Sequence, residues 1–383
     1  MDPEIFLMAS IWSQKCNNSG RRLSTALAIS LLCAGTFPLC VSNGAAVPTS
    51  NAPSYSITDL GGLADVADEA TVSLNNAGDV SLDIVSGQHV HAALWSHGRL
   101  RDLGDAPGYP NGVPHALNGH NTVVGWTNTS DNPVDSMAAT RAFVNDGHGM
   151  RVLGTLGGRD SRALGVNDSG RIVGVSNLDD RTRHAFVSDG GGALKDLGAL
   201  PGGRFSAAYA VNAAGDAAGV ADTPGQISHP VCWRKGKIHD LGTLPGGDSG
   251  CALAINARGD AAGYSETKDG VHAFLYSRGR MRNLGVLKFD PSAANGLNDS
   301  DDVVGTSNVS ASARHAFLWR KGRMDDLNDL IAQNTGWTLT AGCAINNAGQ
   351  IVCIAGKRGE PSHALLLTPI ASPRSLPVRQ GKE

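Results

Sequence analysis

Charge is scarce in this sequence. Asp, Glu, Lys and Arg make up 17% of the 383 residues, against the roughly 25% usual for a soluble domain. Aromatics are few, at 5%, and no capped stretch keeps a helical period over ~10 residues. These absences argue against a coiled coil, a charged disordered tail and a helical bundle. The formal net charge is −3, too little basic surface for nucleic acid to be an expected partner. No apolar run reaches the ~20 residues of a membrane helix. The longest, 23–41, is broken by Ser24, Thr25, Gly35 and Pro38. Glycine is what abounds: 49 residues, where ~7% is usual. Low charge with high glycine suits a β-rich chain with many tight turns.

Residues 1–46 read as a secretory signal peptide. Lys15, Arg21 and Arg22 precede the broken apolar run, and Gly44-Ala45-Ala46 offers a small-residue cleavage site. The expectation is a protein exported to the periplasm or the exterior, with no stable membrane span after processing. Cys33 and Cys40 each follow a Leu, which disfavours a lipoprotein anchor. Four cysteines lie beyond the leader, Cys232, Cys251, Cys343 and Cys353, spaced unlike a zinc ribbon or finger.

The chain repeats. His-Ala-Phe stands at 184–186, 272–274 and 315–317, with variants at 91–93, 141–143, 229–231 and 363–365. Asp-Leu-Gly or a near relative follows at 102–104, 152–154, 196–198, 240–242, 283–285 and 326–328, and a further copy at 59–61 precedes the first His. A marker Asn recurs at Asn75, Asn118, Asn167, Asn212, Asn256, Asn298 and Asn346. Each period holds four short strand-like runs between Gly/Asn/Asp turns. The marker opens Asn-x-x-Gly, which predicts a type I turn closed by a left-handed residue; Asn121 and Asp301 replace that Gly in two copies. Four strands in about 45 residues are the signature of a β-propeller blade; a β-helix, with shorter repeats, is the lesser reading. The expected fold is an all-β, seven-bladed propeller over 54–369, after a linker at 47–53 and before a disordered basic tail at 370–383. The strand at 56–61 should complete the last blade and close the ring.

The segments HAFLWRKGRMDDL (315–327), LGTLGGRDSRALGVNDSGRIVG (153–174) and LGTLPGGDSGCALAINARGDAAG (241–263) resemble the extracellular repeat family named for its His-Ala-Phe triplet. The resemblance covers nearly all of 54–369. It implies a secreted or surface-exposed bacterial protein, with no general catalytic motif. Leu82 and Cys353 depart from the pattern, where other periods carry a second-strand Gly.

Several residues invite chemistry. GGDSGC (246–251) looks like a serine-protease nucleophile segment, but Ser249 reads as the counterpart of Ser161 and Ser206 in an ordinary inter-blade loop. The recurring His residues are read as tethers within their own blades rather than metal ligands, and Asp179, Asp180, Asp299, Asp301 and Asp302 as turn carboxylates rather than a calcium site. No metal or cofactor is expected. Cys343 and Cys353 flank the last Asn turn in register for a cross-strand disulfide; Cys232 and Cys251 are candidates for a bridge between blades. The variable loops between blades, and those joining second to third strands, should share one face. Binding residues favour such loops. The candidates are Tyr109, Arg159, Asp160, Arg204, Phe205, Asp248, Phe289, Asp290 and Trp337. The expected function is a non-catalytic binding scaffold for an extracellular or envelope glycan, peptide or protein. The alternatives are an extracytoplasmic polysaccharide lyase or glycoside hydrolase at the channel mouth, and a purely structural surface protein.

Overall fold

The computed structural model describes residues 54–64, 72–132, 138–178 and 182–370. The leader, the linker, the tail from 371, the pair Asp179 and Asp180, and the centre of the 127–141 loop lie outside the described residues. Ile370 is described, and its N–H donates to the Ser54 carbonyl at 2.9 Å. Among the described residues no helix is long and apolar enough to cross a membrane.

The chain forms seven four-stranded antiparallel sheets, the blades of a propeller. Blade 3 shows the plan: Ser161–Val166, Arg171–Asn177, Arg183–Asp189 and Lys195–Gly198, running from the innermost strand outward. Blade 7 takes three strands from the end of the chain, Thr338–Ile345, Ile351–Gly356 and His363–Pro369, and its outermost from the beginning, Tyr55–Gly62. Ile57 pairs with Leu367, so the two ends of the ring close within one sheet. The marker turns form as expected: Gly78 and Gly170 have φ of 88° and 78°, and Asn121 and Asp301 take the same left-handed position at 62° and 63°.

Blades pack through size complementarity. In four blades a second-strand Gly faces the Phe of the triplet: Gly125 with Phe143, Gly174 with Phe186, Gly263 with Phe274 and Gly305 with Phe317. A Cβ on Gly174 would stand 2.0 Å from the Arg162 carbonyl oxygen and 2.8 Å from the Phe186 ring, so no larger residue fits this backbone. The departures are exchanges of volume: Leu82 faces Ala93, and Cys353 faces Leu365. The third-strand aromatics Phe186, Phe274, Trp233 and Trp319 are buried between blades, as are the inner-strand Ala208, Ala252 and Ala294.

Neither candidate disulfide is formed: all four cysteines are free and buried. The innermost strand of blade 7 bulges between Gly342 and Ala344, so Gly342, not Cys343, stands opposite Cys353. Cys343 joins the apolar cluster shared with Leu82 and Ala93 of blade 1, and Cys353 the one shared with Val304 and Leu318 of blade 6. Their side chains therefore serve opposite faces of the sheet. Burial pushes the Cys343 thiol up to about 12. In the other pair, Ala252 beside Cys251 packs into the cluster shared with Ala218 of blade 4. Strand alternation turns Cys251 to the other side, away from Cys232.

Candidate functional site

The repeated polar residues are engaged in holding the ring together. Five of the six triplet His residues reach the Asp of their own blade's outer strand: His91 to Asp102 at 3.0 Å, His184 to Asp196 at 2.9 Å, His229 to Asp240 at 2.8 Å, His315 to Asp326 at 2.6 Å and His363 to Asp59 at 2.9 Å; the sixth, His272, meets Asn283 there instead. The same Asp residues cap the turn that follows, as where Gly104 N–H donates to Asp102 at 2.7 Å. For Asp102, burial opposes ionisation, but the Gly104 and His91 hydrogen bonds outweigh it and hold the carboxyl below its usual range. Blade 2 loses both partners together, carrying Arg141 and Val152 instead; Arg141 bonds to the carbonyls of Thr140 and Arg159. Among the described residues no group of three His, Cys, Asp or Glu is placed to hold a metal.

The marker Asn residues do more than shape turns. Each Oδ1 accepts backbone N–H groups of its own turn, as Asn256 does from Arg258 and Asp260, both at 3.0 Å. Each Nδ2 donates to the carbonyl of the marker in the next blade. The series runs Asn75 to Asn118, Asn167, Asn212, Asn256, Asn298 and Asn346, at 2.8–3.3 Å. Asn346 returns to Asn75 at 3.1 Å. The seven side chains form a closed, buried ring. The Asn-x-x-Gly pattern shows the turns in sequence; contact between copies requires the ring.

The inter-blade loops contain a second correction. Ser161 Oγ accepts from Ala142 N–H at 3.0 Å and Ser206 Oγ from Ala185 N–H at 2.8 Å, each joining a blade to the preceding triplet. Gly250, not Ser249, occupies that position, since it pairs with Ser265 as Ser161 pairs with Ser176. The preceding triplet carries Pro230, which has no N–H to satisfy, and a Cβ at Gly250 would come within 3.0 Å of its ring. Ser249 instead stands in the slot of Asp160 and Phe205, its carbonyl accepting Glu266 N–H at 2.8 Å.

The nine loop candidates do not gather in one pocket. Asp160 accepts Thr140 N–H at 2.9 Å, and Arg159 beside it is solvent-facing. Tyr109 packs on the apolar cluster of Leu94 and Phe143. Phe205 lies under the Arg183 guanidinium, 5.9 Å from ring centre, with Arg204 exposed next to it. Trp337 stacks obliquely on His363 at 4.9 Å, with Lys357 over its ring. Asp290 accepts from His272 Nε2 at 2.7 Å, while Asn283 donates to Nδ1 at 2.8 Å, so both ring nitrogens are engaged. Phe289 beside it is 54% exposed, and Asp248 is exposed on its loop.

Two clefts lie toward the opposite face, which carries the Asn turns. One, about 270 Å³, is lined by Arg234, Arg258, Asp260, Tyr276, Arg278 and Asp301; the other, about 220 Å³, runs between Arg171, Asp189 and Trp233 of blades 3 and 4. Neither contains a residue singled out from the loops.

No family model matches the sequence, and no curated protein matches it. Solved structures do resemble it. TolB from Acinetobacter baumannii is 16% identical with a TM-score of 0.40, over 60% of this chain and 53% of that one. The β-propeller domain of the Trilobed protease from Pyrococcus furiosus is 10% identical, TM-score 0.49, over 82% and 95%. The BP39L lectin from Burkholderia pseudomallei is 9% identical, TM-score 0.46, over 79% and 98%. The chain thus spans about half the length of the TolB it matches. These similarities are distant, and the chain's own seven four-stranded sheets are what define its class: the protein is a seven-bladed β-propeller.

Proposed function

We propose that the protein is exported by its leader and acts as a non-catalytic binding scaffold, presenting its inter-blade loop face to a glycan, peptide or protein of the envelope or exterior. The observation that carries this reading is the division of labour between positions. The recurring His, Asp, Asn and Ser residues are bonded within and between blades. The variable loop positions leave Arg204, Asp248 and the largely exposed Phe289 facing solvent. A rigid frame with an aromatic and scattered charges on its rim suits recognition by contact. The resemblance to His-Ala-Phe repeat proteins supports the extracellular setting.

The test is expression of the full chain with its leader, mass analysis of the exported product, and binding of that product to a glycan array and an envelope-peptide array. Cleavage near Ala46 is expected, together with hits that Phe289→Ala and Arg204→Ala weaken by about tenfold, the loss of one buried contact. Retention of the leader in the cell body, or hits that both variants bind as well as the wild type, would overturn the reading.

A further inference from the structure

The turn-face cleft in blade 5 departs from its neighbours at two adjacent positions. The third strand ends in Trp233-Arg234 in blade 4 and Trp319-Arg320 in blade 6; in blade 5 the same places hold Tyr276-Ser277. Arg320 crosses its own sheet to Asp302 at 2.8 Å. Ser277 is too short to do so, and the equivalent acid, Asp260, is held by Arg258 from the turn at 2.9 Å. Where a guanidinium stands in the two flanking blades, a cleft of about 270 Å³ opens.

Its wall has donors to spare. Arg234 lines the cleft; it donates to the Gly259 carbonyl at 2.6 Å, and its Nε is buried 4.0 Å from Asp216, which leaves the rest of its guanidinium to face the cleft. Arg278, exposed at the tip of the turn, has no side-chain partner among the described residues. Tyr276 and Ser277 add hydroxyl groups. Asp260 and Asp301 both bond to Arg258 and keep lone pairs for further donors. The lining holds three arginines and two aspartates, and Asp216 stands behind Arg234, so the cleft has no excess of positive charge to hold a dianionic phosphate and suits a monoanion better.

We infer that this cleft binds a small hydroxylated carboxylate, a single sugar acid of the uronic type. Its carboxylate lies against Arg234 and Arg278, and its hydroxyls face Asp260 and Asp301. The volume, about 270 Å³, falls just below the ~300–1,000 Å³ typical of ligand pockets, so it admits one sugar unit and not a length of polymer. The inference is independent of the loop-face reading, because the two sites use opposite faces and share no residue.

Calorimetric titration of the full chain with D-glucuronate and D-galacturonate tests it, with glucose and inorganic phosphate as separate arms. Uronate binding that salt weakens is expected, with glucose silent and phosphate weaker. Ser277→Arg restores the arrangement of blades 4 and 6; it should abolish binding while leaving the melting temperature at or above that of the wild type. Arg278→Ala, at an exposed position, should weaken binding about tenfold, as loss of one charge-assisted hydrogen bond does. Four results would overturn the inference: no uronate binding at ligand concentrations on the order of 10 mM, glucose binding as well as uronate, phosphate binding more tightly, or Arg278→Ala binding like the wild type.

Discussion

Substitutions in this protein come in matched pairs. Losing the triplet His in blade 2 coincides with losing its Asp, and placing Pro230 in a triplet coincides with Gly250 where other blades use Ser. Each match preserves a local count of donors, acceptors or volume. His115 is a case where the local count is sensitive to acid. It sits at the inner-strand bulge of blade 2, and its Nδ1–H donates to the Leu164 carbonyl at 3.0 Å. Burial, aided by the charge of Arg162, lowers its pKa from 6.5 to about 4. The unfolded chain therefore takes up this proton first. The contribution to stability is complete above the unfolded value and is lost as pH falls through the folded one. The ceiling is about 3 kcal/mol, reduced because the ring keeps some solvent contact. Denaturant midpoints at pH 7 and pH 4.5 should differ more for the wild type than for His115→Gln; equal differences would count against the assignment.

At the scale of elements, one side chain serves two structures. The marker Asn shapes its hairpin through Oδ1 and joins the next blade through Nδ2, and two substitutions separate these roles. Asn212→Ala removes both and should cost about 2–3 kcal/mol, since it leaves buried backbone groups unpaired. Asn212→Asp keeps the acceptor for Asp216 N–H but turns a carboxylate toward the Asn256 carbonyl, now 3.1 Å from a donor. It should destabilise at least as much in urea unfolding at pH 8. Wild-type stability in Asn212→Asp would mean that the inter-blade bond adds nothing. The outer strands follow a different rule. They carry Arg99, Arg151, Lys195, Lys237, Arg280 and Arg323 at or near their starts, and cations on a free edge discourage pairing with another chain.

At the scale of the whole molecule, closure depends on the strand Tyr55–Gly62. Tyr55 and Leu60 are buried, and without this strand His363–Pro369 becomes a bare apolar edge. Deleting 54–62 should give a lower, broader melting transition and self-association by light scattering; a monomer melting like the wild type would contradict the role of the closing strand. Closure was legible in the sequence because Asp59-Leu60-Gly61 is an outer-strand motif with no blade of its own. The blade count and the turns were legible from their markers. The bulge at Cys343 was not, because a one-residue slip leaves no mark in spacing and depends on crowding at the centre of the ring. The turn-face cleft was hidden for a related reason: Ser277 opens it by being smaller than Arg234 and Arg320 in the flanking blades, which shows only once the blades are superposed.

The amide ring also measures the assembly. Each carboxamide has a fixed reach, and every link points the same way around the circle. Losing or duplicating one repeat would change the spacing around the whole circle, leaving some arm too short or some carbonyl unclaimed. The circuit thus acts as a gauge for seven, selecting against chains that gain or drop a unit by recombination even when each remaining unit is sound.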